Sequence, residues 1–252
     1  MPIQPVENRR LYRQIADQIA NLIDRGNYRL GTRLPPERDL AGQLGVSRPS
    51  VREALIALEV EGYVEVRMGS GVYVIDPRQR ALSPKRMLDQ ETGPFELIVT
   101  RRLVESECAA LAARAATPEQ VAAIRASLEA MTVAATLGKQ DTAKPHQTTH
   151  APSEHQAPLT HDHEFHIRIA QASNNSALLL LVETLWVERA GPLFVRLEHH
   201  FDTPGLWLDA IKEHRAVLDA IVARDPGAAR NAMRRHMDQA ARRFGRNWHG
   251  RT

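Results

Sequence analysis

Asp162 and His166 stand four residues apart in a segment of helical period, so both side chains project from one face. His214 and His236 follow in two later segments, each inside an apolar helical pattern: Ile211, His214, Val217 and Leu218 in the first, Ala232, Met233, His236 and Ala240 in the second. Histidines on the inward side of separate helices can converge. One carboxylate with three imidazoles is a ligand set for a divalent transition metal of the Zn, Ni or Mn type, with positions left for water or an oxygen ligand. A single histidine on an apolar stripe is more often a core or surface residue, so it is the group of four that points to a metal.

A second constellation lies near the N-terminus. In Ser47-Arg48-Pro49-Ser50-Val51-Arg52, Arg48 and Arg52 are i,i+4 neighbours on one helix face, while Val51 and Leu55 lie on another. A helix that reads DNA needs polar side chains on its N-terminal half and an apolar back; Pro49 is tolerated because first-turn amides are unbonded. Arg38, early in the preceding helix, is placed to meet a phosphate or a base edge, and the Gly69-Ser70-Gly71 tip lets backbone approach the minor groove. Every basic residue from Met1 to Arg78 is arginine, the side chain that grips phosphates and guanine edges with two parallel bonds, although GC-rich coding alone would also favour it.

The elements that must carry these groups are readable. Tyr12, Ile15, Ile19 and Ile23 recur at helical spacing up to Gly26. A short helix with Leu40, Ala41 and Leu44 ends at Gly45, and Ser47 caps a further helix bearing Val51, Leu55 and Leu58 up to Gly62, which makes a helix-turn-helix. Period two then holds in Tyr63–Arg67 and Val72–Ile75 on either side of a Gly-rich turn, which predicts a β-hairpin wing. From Pro94 onward the pattern is helical only: about Glu96–Ala115, a helix opened by the Thr117–Gln120 capping box, then Leu159–Ala172, Ser176–His199, Pro204–Ala223 and Pro226–Phe244. The expected fold is mainly α: residues 1–78 a winged helix-turn-helix of three helices plus β-hairpin, 79–93 a linker, and 94–246 an all-α helical bundle. Residues 137–158, rich in Thr, His, Gln, Ala and Pro, read as a mobile insertion loop with His146, His150 and His155 inside it.

Composition bounds the rest. The chain has 252 residues, 43% of them hydrophobic and 25% charged, and a net charge of +3, which is only a weak hint of a polyanionic partner. The longest apolar run, Ala177 to Leu185, is shorter than the roughly 20 residues that span a membrane, and no leader pattern is evident, so a cytoplasmic protein is expected. Cys108, the single cysteine, cannot form an internal disulfide and reads as a small buried residue.

The stretch from Arg10 to Ile75, above all "GTRLPPERDLAGQLGVSRPSVREALIALEVEGYVEVRMGSGVYV", resembles the winged-helix domain of the GntR family of bacterial regulators. The resemblance implies operator contacts from Arg38, Arg48, Arg52 and the wing-tip Met68 and Gly69, with Ser47 and Ser50 near phosphate. From about Pro94 to Phe244, "RRLVESECAALAARAA", "DHEFHIRIAQASNNSALL" and "EHRAVLDAIVARDPGAARNAMRRH" resemble the ligand-binding FCD domain of the FadR subfamily. Metal-binding members carry their ligands at positions matching Asp162, His166, His214 and His236. An arginine matching Arg101 holds the effector's carboxylate there, Arg189 is a second candidate, and Asn175 matches an asparagine lining the same cavity. "LWVERAGPLFVRLEHHFDTPGLWLDAIKEHRAVLDAI" further resembles the repressor branch for hexuronate and related sugar-acid catabolism.

The expected function is a homodimeric repressor that binds a near-palindromic double-stranded operator and is released by a small organic acid, such as a hexuronate or aldonate. Activation instead of repression stays open. A metal-dependent hydrolase is the alternative suggested by "HDHEFH", but Glu164 falls on a different helical face from Asp162 and His166, and no separate base is evident. His161 and His163 also point away from that face. A DNA-binding protein without any ligand is the third reading.

Overall fold

The computed structural model describes residues 10–75, 92–141, 156–201 and 204–245. Its described residues divide into two compact units: one takes in those up to Phe95 with Ala190–His200 and Phe244–Gly245, the other those within Glu96–Arg189 and Phe201–Arg243.

In the first unit, α1 (Leu11–Asp24), α2 (Glu37–Leu44) and α3 (Arg48–Val60) precede a two-stranded antiparallel sheet, β1 (Val64–Arg67) and β2 (Gly71–Val74). Helix α1 packs on α3, and its stripe of Tyr12, Ile15, Ile19 and Ile23 is buried, each isoleucine contributing about 1.5–3 kcal/mol of apolar burial. Gly45 ends α2 in the left-handed region at φ 66°, a conformation that side chains with a Cβ seldom adopt, and so turns the chain into α3. Ser47 then caps α3, its Oγ accepting from the Ser50 amide at 3.3 Å. In the hairpin Val64 faces Val74 and Val66 faces Val72. Residues 32–34 run beside β2, where Leu34 N–H donates to Val72 O at 2.8 Å and Val74 N–H to Thr32 O at 3.0 Å.

Buried carboxylates hold this unit together. Arg13, although a charged residue of α1, is buried and ion-paired with Glu61 and Asp17, because α1 and α3 meet there. Glu59 accepts from Val66 N–H at 2.9 Å and from Arg196 at 2.8 Å, and lies 2.6 Å from His200 Nε2. Burial alone would raise the Glu59 carboxyl, but the bonds from His200 and Arg196 hold it below the usual carboxylate range.

The second unit is built from α4 (Pro94–Ala115), α5 (Pro118–Asp141), α6 (Gln156–Ala172), α7 (Ser176–Arg189), α9 (Pro204–Val222) and α10 (Pro226–Phe244). Helix α5 packs against α6 and α9, and α6 against α7. The core between them includes Ile124, Leu128, Met131, Phe165, Ile169, Val217, Leu218 and Met233. Cys108 is part of it, 1% exposed, and burial pushes its thiol up to about 12. The capping box forms as expected, with Gln120 N–H donating to Thr117 Oγ1 at 3.2 Å and Thr117 N–H to Gln120 Oε1 at 2.8 Å.

One expected helix is two. Ser176–His199 breaks at Ala190 and Gly191, because Pro192 cannot supply the amide that would continue α7; it opens α8 (Pro192–Phe201) instead, and residues 190–200 group with the first unit. Of the expected loop, α5 takes in residues to Asp141 and α6 begins at Gln156. Residues 142–155, with His146, His150 and His155, lie outside the described residues, as does most of the 79–93 linker.

Candidate metal centre and nucleic-acid interface

His166, His214 and His236, from α6, α9 and α10, present ring nitrogens that all lie within 4.8 Å of one another. His166 Nε2 and His214 Nε2 are 3.2 Å apart, and Asp162 Oδ1 is 3.2 Å from His214 Nε2 and 3.7 Å from His166 Nε2. The i,i+4 spacing on α6 puts Asp162 and His166 on one face, and the apolar stripes of α9 and α10 turn His214 and His236 inward. All four are buried.

Carboxylates outside this group orient its rings. Glu105, on α4, lies against His166 Nδ1 and accepts from Arg101 Nε at 2.6 Å. Glu213, on α9, pairs with His236 Nδ1 at 2.9 Å and with Arg243 at 2.7 Å. A carboxylate at Nδ1 keeps the proton there and leaves the Nε2 lone pair for a metal. Burial opposes charge on Glu105, yet Arg101 and His166 hold its carboxyl down at about 2. Burial would likewise raise Asp162, but hydrogen bonds and charge from His166 and His214 keep it well below the ordinary value. His236 and His214 are pushed down by burial, His236 strongly, so both are neutral donors; His166 is raised, because Glu105 and Asp162 outweigh its burial.

The donor set fits a divalent transition metal: four buried donor groups from three helices converge, and two imidazoles have carboxylates at the far nitrogen. Arg101 and Arg189 stand beside it. Arg189 Nη2 is 3.7 Å from Asp162 Oδ2, and both guanidinium groups lie over the Trp186 ring, 4.2 Å away for Arg101 and 4.6 Å for Arg189. Glu105, Glu213 and Trp186 are absent from the sequence-level site. Glu105 follows Arg101 by one helical turn and Glu213 adjoins His214, which are signals too common to single them out.

Asn175 falls elsewhere than expected. It is exposed, and its Oδ1 accepts from the amides of Ala177 and Leu178 at 3.1 Å, capping α7. It lines a shallow cleft of about 350 Å³ with Gln171, Asn174, Ser176 and Leu179, none of them from the histidine cluster. The side chain that would have faced a cavity closes a helix end. His161 pairs with Glu164 at 3.3 Å and His163 is exposed against Trp186, so neither turns into the cluster.

On the DNA-reading side the two arginines part company. Arg48 is half-exposed, with Glu37 at 3.6 Å, and Arg38 is open to solvent with Asp39 at 3.4 Å. Arg52, expected beside Arg48 on an open face, is only 2% exposed: it holds Glu37 at 2.5 Å and donates to the Phe244 carbonyl. The turn between the two positions carries Arg52 under α2 and Phe244, which cover it. Ser47 is exposed and Ser50 half-buried at the helix start, with their hydroxyls 2.8 Å apart. Met68 and Gly69 form the exposed wing tip, Gly69 at φ 73°.

A winged helix-turn-helix with a helical bundle carrying a buried histidine cluster points to a class: DNA-binding regulators with a second, all-helical domain. Residues 11–74 match the bacterial regulatory proteins of the gntR family and residues 96–239 match the FCD domain. The chain belongs to the GntR family and carries an FCD domain. It is 38% identical to the Exu regulon transcriptional regulator of Escherichia coli (strain K12) over 92% of this chain and 83% of that protein. To the Uxu operon transcriptional regulator of the same strain it is 36% identical, over 93% and 87%. Among solved structures, E. coli McbR/YncC is 23% identical with a TM-score of 0.48, covering 94% of this chain and 97% of that one. The protein is thus a DNA-binding transcriptional regulator and not an enzyme, and among the described residues no helix is long and apolar enough to cross a membrane.

Proposed function

We propose that this regulator is a cytoplasmic homodimeric repressor, released from a near-palindromic operator by a sugar acid, a hexuronate or aldonate, bound at a divalent metal in its FCD domain. The observation that carries the reading is the convergence of Asp162, His166, His214 and His236 beside Arg101 and Arg189. These four residues would hold the metal, which would supply a Lewis-acidic point for a carboxylate oxygen. Arg101 and Arg189, beside the cluster, would pair with the same carboxylate. Asn175 caps α7 and stands outside this set.

Arg38, Arg48, Ser47, Ser50, Met68 and Gly69 meet DNA: all but the half-buried Ser50 are exposed at the helix start and wing. Arg52 supports them from below by fixing Glu37, which faces Arg48 on its other oxygen. A second copy covers aliphatic side chains left exposed, Val99 and Leu103 on α4 and Leu180 and Val187 on α7. Release requires only that the acid bind one dimer arrangement better than the other, and coupling of about 1–3 kcal/mol is enough.

The hydrolase alternative finds no support at Glu164, which pairs with His161 and lies 3.7 Å from Arg168, outside the cluster. The test uses zinc- or nickel-loaded protein and a fluorescent duplex of the regulator's own upstream region. D-Galacturonate, D-glucuronate and their aldonates should release it, and the His214→Ala variant should stay bound. Operator affinity untouched by every acid at saturation overturns the proposal.

A further inference from the structure

Trp186 is 6% exposed and its indole N–H has no hydrogen-bond acceptor among the described residues. Arg101, 5% exposed, likewise has Nη2 without a partner, although its Nε is held by Glu105. Native proteins leave few buried donors unmet, and each costs about 1–3 kcal/mol when it is. Here Arg101 and Trp186 lie together, the guanidinium over the ring, and His214 Nδ1 in the adjacent cluster is unmet as well. Both border the histidine cluster: Trp186 lies against His166 with ring centroids 5.4 Å apart and the planes tilted by 45°, and Arg101 reaches His166 through Glu105.

Both unmet groups are donors, so the missing partner is an acceptor. An indole N–H is a donor only, and once the carboxylate is engaged by Arg101 and the cluster its partner must be another oxygen, for which a hydroxyl or carbonyl suffices. A ligand with a carboxylate alone gives Arg101 and the cluster their partner and leaves the indole unmet. An acid that also carries oxygens further along its chain can satisfy both.

We propose that Trp186 is an effector-recognition residue: its indole N–H donates to a hydroxyl or carbonyl oxygen of the acid whose carboxylate Arg101 holds, restricting the site to hydroxy and keto acids. The inference rests on the proposed sugar-acid site and adds to it the residue that tells an oxygenated acid from a plain one. It also gives the ring two roles, since the faces that hold both arginines are separate from the edge that carries the N–H.

Trp186→Phe keeps an aromatic ring under both guanidinium groups and deletes only the donor. Calorimetric titration of the zinc-loaded full chain with D-galacturonate should show affinity reduced by about tenfold relative to wild type, the size expected for one buried hydrogen bond. With hexanoate as the plain acid, wild type and variant should bind alike. A second measurement needs no folded variant at position 186: in wild-type protein labelled with ¹⁵N-tryptophan, galacturonate should move the Trp186 indole N–H resonance, identified by elimination with Trp207→Phe and Trp248→Phe. Galacturonate affinity of Trp186→Phe within about twofold of wild type, or an unmoved indole resonance in saturated wild type, overturns the role of Trp186 while leaving the sugar-acid site standing. Wild type that binds no galacturonate, glucuronate or aldonate when metal-loaded overturns the site itself.

Discussion

Replacing Glu105 with Gln tests whether the outer carboxylate holds the centre together. Gln keeps the size and an oxygen for Arg101 but removes the charge that faces Arg101 on one side and His166 on the other. Glu105 is 2% exposed, and its carboxyl lies at about 2 against an ordinary 4.5, a preference for the charged form of roughly 3 kcal/mol. Removing one partner of a buried pair costs about 3–5 kcal/mol, and the amide oxygen recovers part of that. The metal-free variant should therefore be less stable by about 2–4 kcal/mol, a drop in melting midpoint of roughly 5–15 °C for a protein of this size. Zinc affinity should fall by about 10–100-fold as well, because His166 loses the acceptor that fixes its tautomer. Thermal melts followed by circular dichroism and calorimetric zinc titration read the two effects separately. A midpoint within about 2 °C of wild type together with an unchanged zinc isotherm would refute the reasoning.

Arg48→Ala should weaken binding to the operator by about 1–3 kcal/mol and relax preference at one base pair, if Arg48 reads a base; fluorescence anisotropy against single-substituted duplexes measures this, and uniform weakening would mark a phosphate contact instead. Glu37→Ala strands the buried Arg52 charge and should cost about 3–5 kcal/mol in urea unfolding, far more than the roughly 0–1 kcal/mol expected if Arg52 were solvated. Metal affinity should fall as pH drops from about 8 to 6, with His166, the imidazole raised above its ordinary value, protonating first; His214 and His236, both lowered, compete less. Titrations in buffers of different ionisation enthalpy should detect the released proton. Glu59 carries a lowered carboxyl, so its contribution to the winged-helix unit is present above the ordinary carboxylate value and is lost as pH falls through the lower folded one. Glu59→Gln should accordingly flatten the acid limb of the stability profile.

Much of this molecule is set by local rules. Period 3.6 placed Tyr12, Ile15, Ile19 and Ile23 on one buried stripe, the capping box at Thr117 and Gln120 formed as written, and alternation about Gly69 made the wing. The same arithmetic put Asp162 beside His166 and turned His214 and His236 inward. Each conclusion needs only the direction a side chain takes from its own helix or strand, which spacing determines. The break between α7 and α8 was also written in Gly191-Pro192, a helix stop that the apolar run on either side concealed.

What the neighbouring elements do could not be read from spacing. Arg48 and Arg52 are equivalent along the helix, yet Glu37 and the Phe244 carbonyl enclose only Arg52. Asn175 sits in a stretch that resembles a cavity lining but caps α7, because its oxygen finds two free amides within reach. Glu105, Glu213 and Trp186 became part of the centre through packing between helices distant in sequence. Sequence fixes the face on which a side chain leaves its element; only the packed tertiary structure decides what covers that face, and burial with its partners is what gives a charge or a donor its chemistry.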